Sequence, residues 1–121
     1  MQLVLDSIAL YFKEKNMATI ATGNVTTAAA SVYTSVGNTV VTFLSLANYT
    51  ASNVTANVYV VPSGGSIGNL TAVMTLLNIP ANDTYQFYVG NEKLILSNND
   101  SIQANASSNN AVATVTSYTS A

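Results

Sequence analysis

The stretch "IPANDTYQFYVGNEKLILSNNDSI", residues 79–102, alternates apolar runs with residues that form turns. Within it, "YQFYVG" at 85–90 places large apolar side chains at every second position, which is the period of a β-strand. Pro80, Gly90 and the run "NND" at 98–100 interrupt the apolar runs, and each is a turn signal. The stretch therefore predicts short strands joined by tight turns.

The same stretch holds half of the charged residues of the chain: Asp83, Glu92, Lys93 and Asp100. Paired carboxylates can act as general acid and base, and several carboxylate oxygens can bind calcium. The spacing matches no calcium loop, and each carboxylate stands beside a turn. We therefore interpret Asp83 and Asp100 as turn residues that accept hydrogen bonds from nearby backbone amides. Glu92 and Lys93 form a solvated pair at a strand entrance in this interpretation.

Strand-like runs continue on both sides of this stretch. In "ASNVTANVYVV" at 51–61, one face is predicted to carry Val54, Ala56, Val58 and Val60, and the other Thr55, Asn57 and Tyr59. "LTAVMTLLNI" at 70–79 fits a helix or a strand by periodicity alone, and its β-branched residues between turn signals favour a strand. Further runs of this kind lie at 19–36, 39–48, 101–106 and 111–121, and "PSGGSIGN" at 62–69 is a loop.

These runs predict the fold class. Turn signals recur every 8–12 residues or so, which is typical of an all-β sandwich or jelly roll. A chain of 121 residues can bury a core without metal or disulfide support. We predict an all-β fold with a single β-sandwich or jelly-roll-like domain of about eight short antiparallel strands over 17–121. A short N-terminal amphipathic helix over 1–16 precedes it.

The first residues, "MQLVLDSIALYFKEKN" at 1–16, differ from the rest of the chain. Apolar side chains recur there at helical spacing and can form one broad face, made of Leu3, Val4, Leu5, Ile8, Tyr11 and Phe12. Asp6 interrupts the apolar run and the lysines follow it, which argues against a signal peptide. A helix of this length has marginal stability when isolated, and it must therefore dock on its own domain or on a partner. We predict an arm whose partner interface consists of Leu5, Ile8, Tyr11 and Phe12.

Composition argues against several classes of function. Cysteine and histidine are absent, which excludes thiolate catalysis and removes the commonest general base and metal ligand. A net charge of −2 with three basic residues opposes a phosphate-binding surface. No apolar run approaches the ~20 residues that cross a bilayer as a helix. We therefore expect no enzymatic activity, no cofactor, no metal, and no nucleic-acid or membrane partner.

The low charge has two interpretations. Charged residues make up 7 % of the chain, against roughly 25 % in an ordinary soluble domain, and none lies between Asn16 and Asn82. A surface with so little charge favours self-association. The chain is therefore either a subunit of an assembly or simply a β domain rich in Thr and Asn.

Other motifs have ordinary explanations. "GGSIGN" at 64–69 has three glycines but no Lys or Arg after it, so it joins strands rather than cradling a phosphate. N-x-S/T triplets begin at Asn24, Asn48, Asn53, Asn69, Asn82, Asn99 and Asn105. We attribute them to the abundance of Asn and Thr rather than to glycosylation. The seven tyrosines are scattered over the chain, which is typical of packing with some interface contact.

From 38 to 120 the chain resembles a group of small structural proteins from tailed-bacteriophage virions. The resemblance is carried by Leu46-Ala47-Asn48, Val54 to Val61, Ile79-Pro80-Ala81, Gly90, Lys93-Leu94-Ile95-Leu96 and Asp100-Ser101-Ile102. The arm at 1–16 is not part of that pattern. The resemblance implies a non-enzymatic, all-β virion component that decorates or cements the capsid or sits in the tail, in many symmetric copies.

Several hypotheses follow. The leading one is a capsid decoration or cement protein, located in the virion, that binds the major capsid protein or another virion protein as a homo-oligomer, with a trimer as the first expectation. The second is a tail, neck or fibre-anchoring component. A different class is a carbohydrate-binding β-sandwich that uses Tyr85 or Tyr88, and a calcium-stabilised surface or filament subunit is a further alternative.

Overall fold

The computed structural model describes residues 19–87 and 93–120, and these residues form an all-β fold. The strands in chain order are β1 Thr19–Val25, β2 Ala30–Thr34, β3 Thr39–Asn48, β4 Val54–Val61, β5 Ala72–Ile79, β6 Thr84–Phe87, β7 Leu94–Leu96, β8 Ser101–Ala106 and β9 Val112–Ser120. The predicted all-β class is confirmed. The predicted helical arm at 1–16 and its interface residues Leu5, Ile8, Tyr11 and Phe12 lie outside the described residues. Within the described ranges, no helix is long and apolar enough to span a membrane.

The strands form two antiparallel sheets. The first has the order β1-β9-β3-β6, with β7 also paired to β3, and the second has the order β2-β8-β4-β5. The pairs are nested along the chain: β1 pairs with β9, β2 with β8, β3 with β6 and β7, and β4 with β5. Successive nested pairs alternate between the two sheets, so the apolar faces of both sheets meet in one core.

The core follows from the alternation of apolar residues along the strands. In β4, Val54, Ala56 and Val58 are buried, and the intervening Thr55 and Asn57 are half-buried. The predicted faces are therefore confirmed for 54–58, whereas Val60, predicted on the buried face, is half-buried and its neighbour Val61 is buried. Strands of both sheets, together with Ala111 just before β9, supply the rest of the buried cluster, which includes Val25, Tyr33, Val41, Leu44, Leu46, Ile79, Leu96, Ile102, Ala104, Ala106 and Val112.

Several loops share one kind of turn, in which the third residue has a positive φ, as in type II turns. Gly64 (φ 77°), Asn82 (φ 58°) and Asn99 (φ 69°) occupy that position. The next residue in each turn donates its N–H to the carbonyl three residues back, at 2.8 to 3.1 Å. Glycine and asparagine tolerate this backbone region better than other residues, which explains their positions.

The predicted role of the two aspartates at turns is confirmed. Asp83 accepts a hydrogen bond from the N–H of Thr84 at 2.8 Å. Asp100 accepts from the N–H of Ser97 and from the N–H of Ser63, each at 2.9 Å. Asp100 therefore joins the β7–β8 turn to the β4–β5 loop.

The Asp100 end of the sandwich, formed by the loops 35–38, 62–71 and 97–100, is where the described chain enters and leaves. Thr19, the first described residue, pairs with Tyr118 beside it, and Ser120 pairs with Thr39. We call this the entry end. The strand β1 packs beside β2, and β5 lies at the opposite edge of the second sheet. The chain therefore enters the sandwich at one edge, and β5 borders the other.

The opposite end is held by one buried asparagine. The side-chain amide of Asn48 donates to the carbonyls of Ser52 at 2.7 Å, Ile79 at 3.0 Å and Pro80 at 3.2 Å. Its Oδ1 accepts from the N–H and the hydroxyl of Thr50. Because Asn48 is 2 % exposed, these bonds satisfy a buried polar group and fix the β3–β4 and β5–β6 loops to each other.

Candidate interaction surface

A group of exposed apolar side chains lies on β5 and on the loop before it. We call this group the β5 patch, and it consists of Ile67, Leu70, Val73 and Leu76. Leu70 is fully exposed and Leu76 is 76 % exposed. Single exposed apolar residues are ordinary on soluble proteins, but a cluster of them is typical of an interaction surface.

Leu70 is held out by an ordered turn. The N–H of Thr71 donates to the carbonyl of Gly68 at 3.1 Å, which closes a turn over 68–71. The hydroxyl of Thr71 also accepts from the N–H of Gly68 at 3.0 Å. The backbone around Leu70 is therefore fixed before any partner binds, which lowers the entropic cost of a contact made there.

Leu76 lies in a β-bulge of β5. Ala56 pairs with Leu77 and Val58 pairs with Met74, so β5 has one more residue than β4 between the two pairs. Asn57 stands opposite the extra residue, and its Oδ1 accepts the N–H of Leu76 at 2.8 Å. Its amide nitrogen donates to Asn105 on β8 at 2.8 Å. This bridge across three strands fixes the bulge in place.

The bulge determines which way the leucines face. Regular alternation would place Leu76 on the same face as Met74 and turn Leu77 outward. With the extra residue, Met74 and Leu77 both pack against the core, and Leu76 is exposed. Leu76 also has φ of 50°, a left-handed conformation that costs a residue other than glycine about 1–2 kcal/mol. Exposure and backbone strain coincide at one leucine, and such coincidence points to a functional contact.

The β5 edge is interrupted by β-bulges, but β5 has no charged residue and no proline to guard it against pairing with other chains. Among the described strands, β5 is paired on one side only, and natural edge strands are commonly guarded by lysine, proline, inward charges or β-bulges. Residues 62–79 contain no charged residue. The bulge divides the edge into short segments, so we expect apolar side chains rather than a long added strand to make most of any contact.

The candidate carboxylates from the sequence do not come together. Asp83 bonds through its carbonyl to the N–H of Asn48, and Asp100 likewise to Ser35, so the two lie at opposite ends of the sandwich. The length of β3 between those ends is roughly 30 Å at ~3.3 Å per residue. The two aspartates therefore form no acid–base pair. Among the described residues, no group of three or more acidic side chains is placed to hold a metal ion, and Glu92 lies outside them.

The tyrosines divide between core and surface. Tyr33 is buried, its ring centroid lies 4.4 Å from that of Tyr118, and its hydroxyl donates to Thr39 at 3.1 Å. Tyr85 is 38 % exposed, with its ring centroid 4.8 Å from that of Phe87. Tyr49 is also exposed, and its hydroxyl donates to Asn24. Tyr11 and Tyr88 lie outside the described residues.

Sequence reasoning missed the β5 patch. The run at 70–79 was predicted only as a strand. Strict alternation would have placed Leu76 on the same inner face as Met74. One signal was present: Leu70, Val73 and Leu76 recur every third residue, which departs from the two-residue period of a regular strand.

Comparisons of the chain with models of known protein families, with curated proteins and with solved structures find no match.

Proposed function

We propose that this chain is a non-enzymatic structural protein of a virion, a decoration or cement protein that binds the assembled shell of a tailed bacteriophage. The observation that carries the proposal is the β5 patch, an uncharged apolar edge with a strained leucine in a β-bulge. A protein that works inside an assembly has a use for such an edge, because neighbours cover it.

The connectivity of the sandwich supports the proposal. The nested pairs β1–β9, β2–β8, β3–β6/β7 and β4–β5 alternate between the sheets, which is the arrangement of a jelly roll. Jelly rolls occur in viral capsid domains as well as in lectins and cupins. Fold alone does not imply function, so the connectivity adds to the surface argument without replacing it.

The electrostatics of the surface supports the same proposal. The described residues include three charged side chains, Asp83, Lys93 and Asp100. The two aspartates bond to backbone amides within loops. Low charge gives little mutual repulsion between copies, which suits a protein packed at high local density with many copies of itself and with the major capsid protein.

Deletion of the gene in the phage that encodes the chain tests the proposal. We expect particles to assemble without the protein and to lose their DNA at a lower temperature or a lower osmotic stress, with restoration when purified protein is added back. A label on Ser120 should decorate the head in electron micrographs. Particles with unchanged stability, or virions that contain none of the protein, would reject the proposal. Labels confined to the tail would favour the tail, neck or fibre-anchoring alternative.

A second candidate function is carbohydrate binding, favoured by the exposed aromatic ring of Tyr85 beside Phe87. Exposed aromatic rings bind the apolar faces of sugars, and lectins are among the jelly-roll proteins. Binding on a glycan array that disappears in Tyr85→Ala, and persists in Tyr49→Ala, is the expected result for this function. An array without any binding would remove it.

A further inference from the structure

The outer face of the first sheet, which is the side turned away from the second sheet, carries no charge. Thr114 and Thr116 of β9 are buried in the core, so Val115 between them faces outward. Residues paired across neighbouring antiparallel strands share one side of the sheet. None of the residues of β1, β3, β6, β7 and β9 is charged. Asp83 and Lys93, which directly precede β6 and β7, stand at the margin of the face.

Apolar side chains cross this face from one edge of the sheet to the other. We call them the outer-face cluster, which consists of Ile20, Val40, Phe43, Ile95 and Val115. Val40 pairs with Ile95 on β7. Ser117 of β9 pairs with Phe43 on one side and with Ile20 on the other. Ile95 is 73 % exposed and Ile20 is 66 % exposed, and the other three are partly exposed. A contiguous apolar cluster of this kind is typical of an interaction surface.

We propose that the outer-face cluster is a contact between two copies of the chain, which pack outer face to outer face about a twofold axis. Sheets that pack face to face lie ~10 Å apart, and small side chains on the same face allow that approach, namely Ser45, Ala47, Ala113 and Ser117. The contact lies on a surface that the proposed function does not use, so it is tested apart from that function. It joins the same surface on both partners and closes with two copies, whereas the resemblance led us to expect a trimer first.

The area of the face fits a stable pair. The sheet is four neighbouring strands wide, and β9 at its centre is 9 residues long. At ~4.8 Å per strand and ~3.4 Å per residue, the face measures roughly 20 by 30 Å, or about 600 Å² per copy. Two copies together provide roughly 1,200 Å², which is at the lower end of the range for specific and stable interfaces.

The chain's own residues outside the described ranges offer less area than the face requires. As a helix, the apolar segment 3–12 is about 15 Å long and about 10 Å wide, which covers roughly a quarter of the face. Residues 88–92, between β6 and β7, add only five. A second copy presents a face of the same size. The area therefore favours a second copy as the occupant.

The chemistry of the face favours a second copy over a foreign partner. Foreign partners are commonly selected by complementary charge, and the outer-face cluster has no charge to complement. Two identical uncharged faces meet without repulsion. Four of the five side chains in the cluster are Ile or Val, whose rotation at Cβ is restricted before any contact forms. Burial of the cluster therefore costs little side-chain entropy.

Thiol protection tests the contact, because the natural chain has no cysteine. In the full chain, Ser117→Cys places one thiol in the middle of the outer face, and a phosphine keeps it reduced. We expect this thiol to react with a maleimide about ten-fold more slowly at a protein concentration where pairs form than at one where they dissociate. Val36→Cys is the matched control, because Val36 is 86 % exposed in the loop 35–38, outside the face. The control thiol should react at the same rate at both concentrations.

Light scattering after size exclusion gives an independent readout of the same contact. The wild-type chain should form pairs, and Ile20→Asp and Ile95→Asp should each weaken pairing about ten-fold or more, because each places two like charges in the contact. Both side chains are largely exposed, so their replacement removes little core packing, and urea unfolding checks that the variants stay folded. Val36→Asp should leave the pairs intact. Leu76→Asn changes the β5 patch instead and should remove only species larger than the pair.

Other outcomes would overturn the proposal. A Ser117→Cys thiol that is protected to the same extent at every concentration would mean that the chain's own residues cover the face. A thiol that reacts at the control rate at every concentration, or a wild-type chain that stays monomeric, would mean that no second copy binds there. Pairs that persist in both Ile20→Asp and Ile95→Asp would place the contact elsewhere. Pairs that form normally while the protein is missing from virions would instead reject the proposed function alone.

Discussion

Asn48→Asp tests the claim that one buried side-chain amide stabilises the loops at the end of the sandwich opposite the entry end. The substitution keeps the shape of the side chain and replaces its NH2 group by an oxygen. In the native chain that NH2 group donates to the carbonyls of Ser52, Ile79 and Pro80. After the substitution a carboxylate oxygen faces three carbonyl oxygens in a site that is 2 % exposed.

The expected cost follows from the bonds that are lost. The two hydrogens of the NH2 group are shared among the three carbonyls, and each net hydrogen bond contributes about 1 kcal/mol, so the lost donations cost about 2–3 kcal/mol. Burial of an unpaired charge adds to this, and we expect a total of about 4 kcal/mol or more. With a urea m-value of ~1–3 kcal/mol/M, the unfolding midpoint should fall by about 2 M. This is a large part of a typical domain stability of ~5–15 kcal/mol.

Urea unfolding at neutral pH and fixed protein concentration measures the effect. Asn53→Asp is the matched control, because Asn53 is exposed and its Oδ1 accepts a hydrogen bond from the N–H of Ala81 at 3.1 Å, which a carboxylate also accepts. We expect a change within about 0.5 kcal/mol for the control. Similar midpoints for the two variants would refute the structural role assigned to the Asn48 amide.

Three further substitutions have defined outcomes. Leu76→Asn should raise the free energy of unfolding, measured in urea, by up to ~1 kcal/mol, because Asn tolerates the positive φ. It should also weaken self-association, measured by light scattering. A variant that loses both stability and self-association would contradict the interface role. Thr116→Val should raise the melting temperature and stabilise by ~1 kcal/mol, because the buried Thr116 hydroxyl has no hydrogen-bond partner among the described residues; a destabilised variant would show that the hydroxyl is satisfied. Asp100→Ala should cost ~2 kcal/mol, more than Asp83→Ala, because Asp100 bonds to two backbone amides and Asp83 to one; equal losses in chemical unfolding would remove that distinction.

Local features of the fold could be predicted from the sequence because they depend on near neighbours. The alternation of Val54, Ala56 and Val58 marks a strand with one buried face. Pro80 and the residues after it mark a turn, and Asp83 bonds to the adjacent amide as expected. These features require only the backbone preferences and side-chain reach of a few consecutive residues.

The pairing of distant strands could not be predicted in the same way. Thr19 pairs with Tyr118 and Ala30 pairs with Ala104. The residues near each of these positions do not indicate which distant residue will be its partner. Many pairings of short strands with similar texture bury comparable apolar area, so the choice depends on the packing of the whole core. The buried amide of Asn48 was missed for the same reason, since its partners come from separate loops.

The candidate site was even less accessible to sequence reasoning. The exposure of Leu76 depends on an extra residue in β5, and Asn57 fixes that residue from the neighbouring strand. A one-residue shift reverses the face of every later side chain in a strand, so it moves Leu77 into the core and Leu76 out of it. The predicted interface at Leu5, Ile8, Tyr11 and Phe12 stays a prediction.

Quantitative mass spectrometry of purified virions, separated into heads and tails, tests the central claim most directly. A decoration or cement protein should be found in the head fraction, in a copy number that is a simple ratio to the major capsid protein, because shell sites are symmetric. Recovery only with tails, or absence from both fractions while the major capsid protein is fully recovered, would contradict the claim.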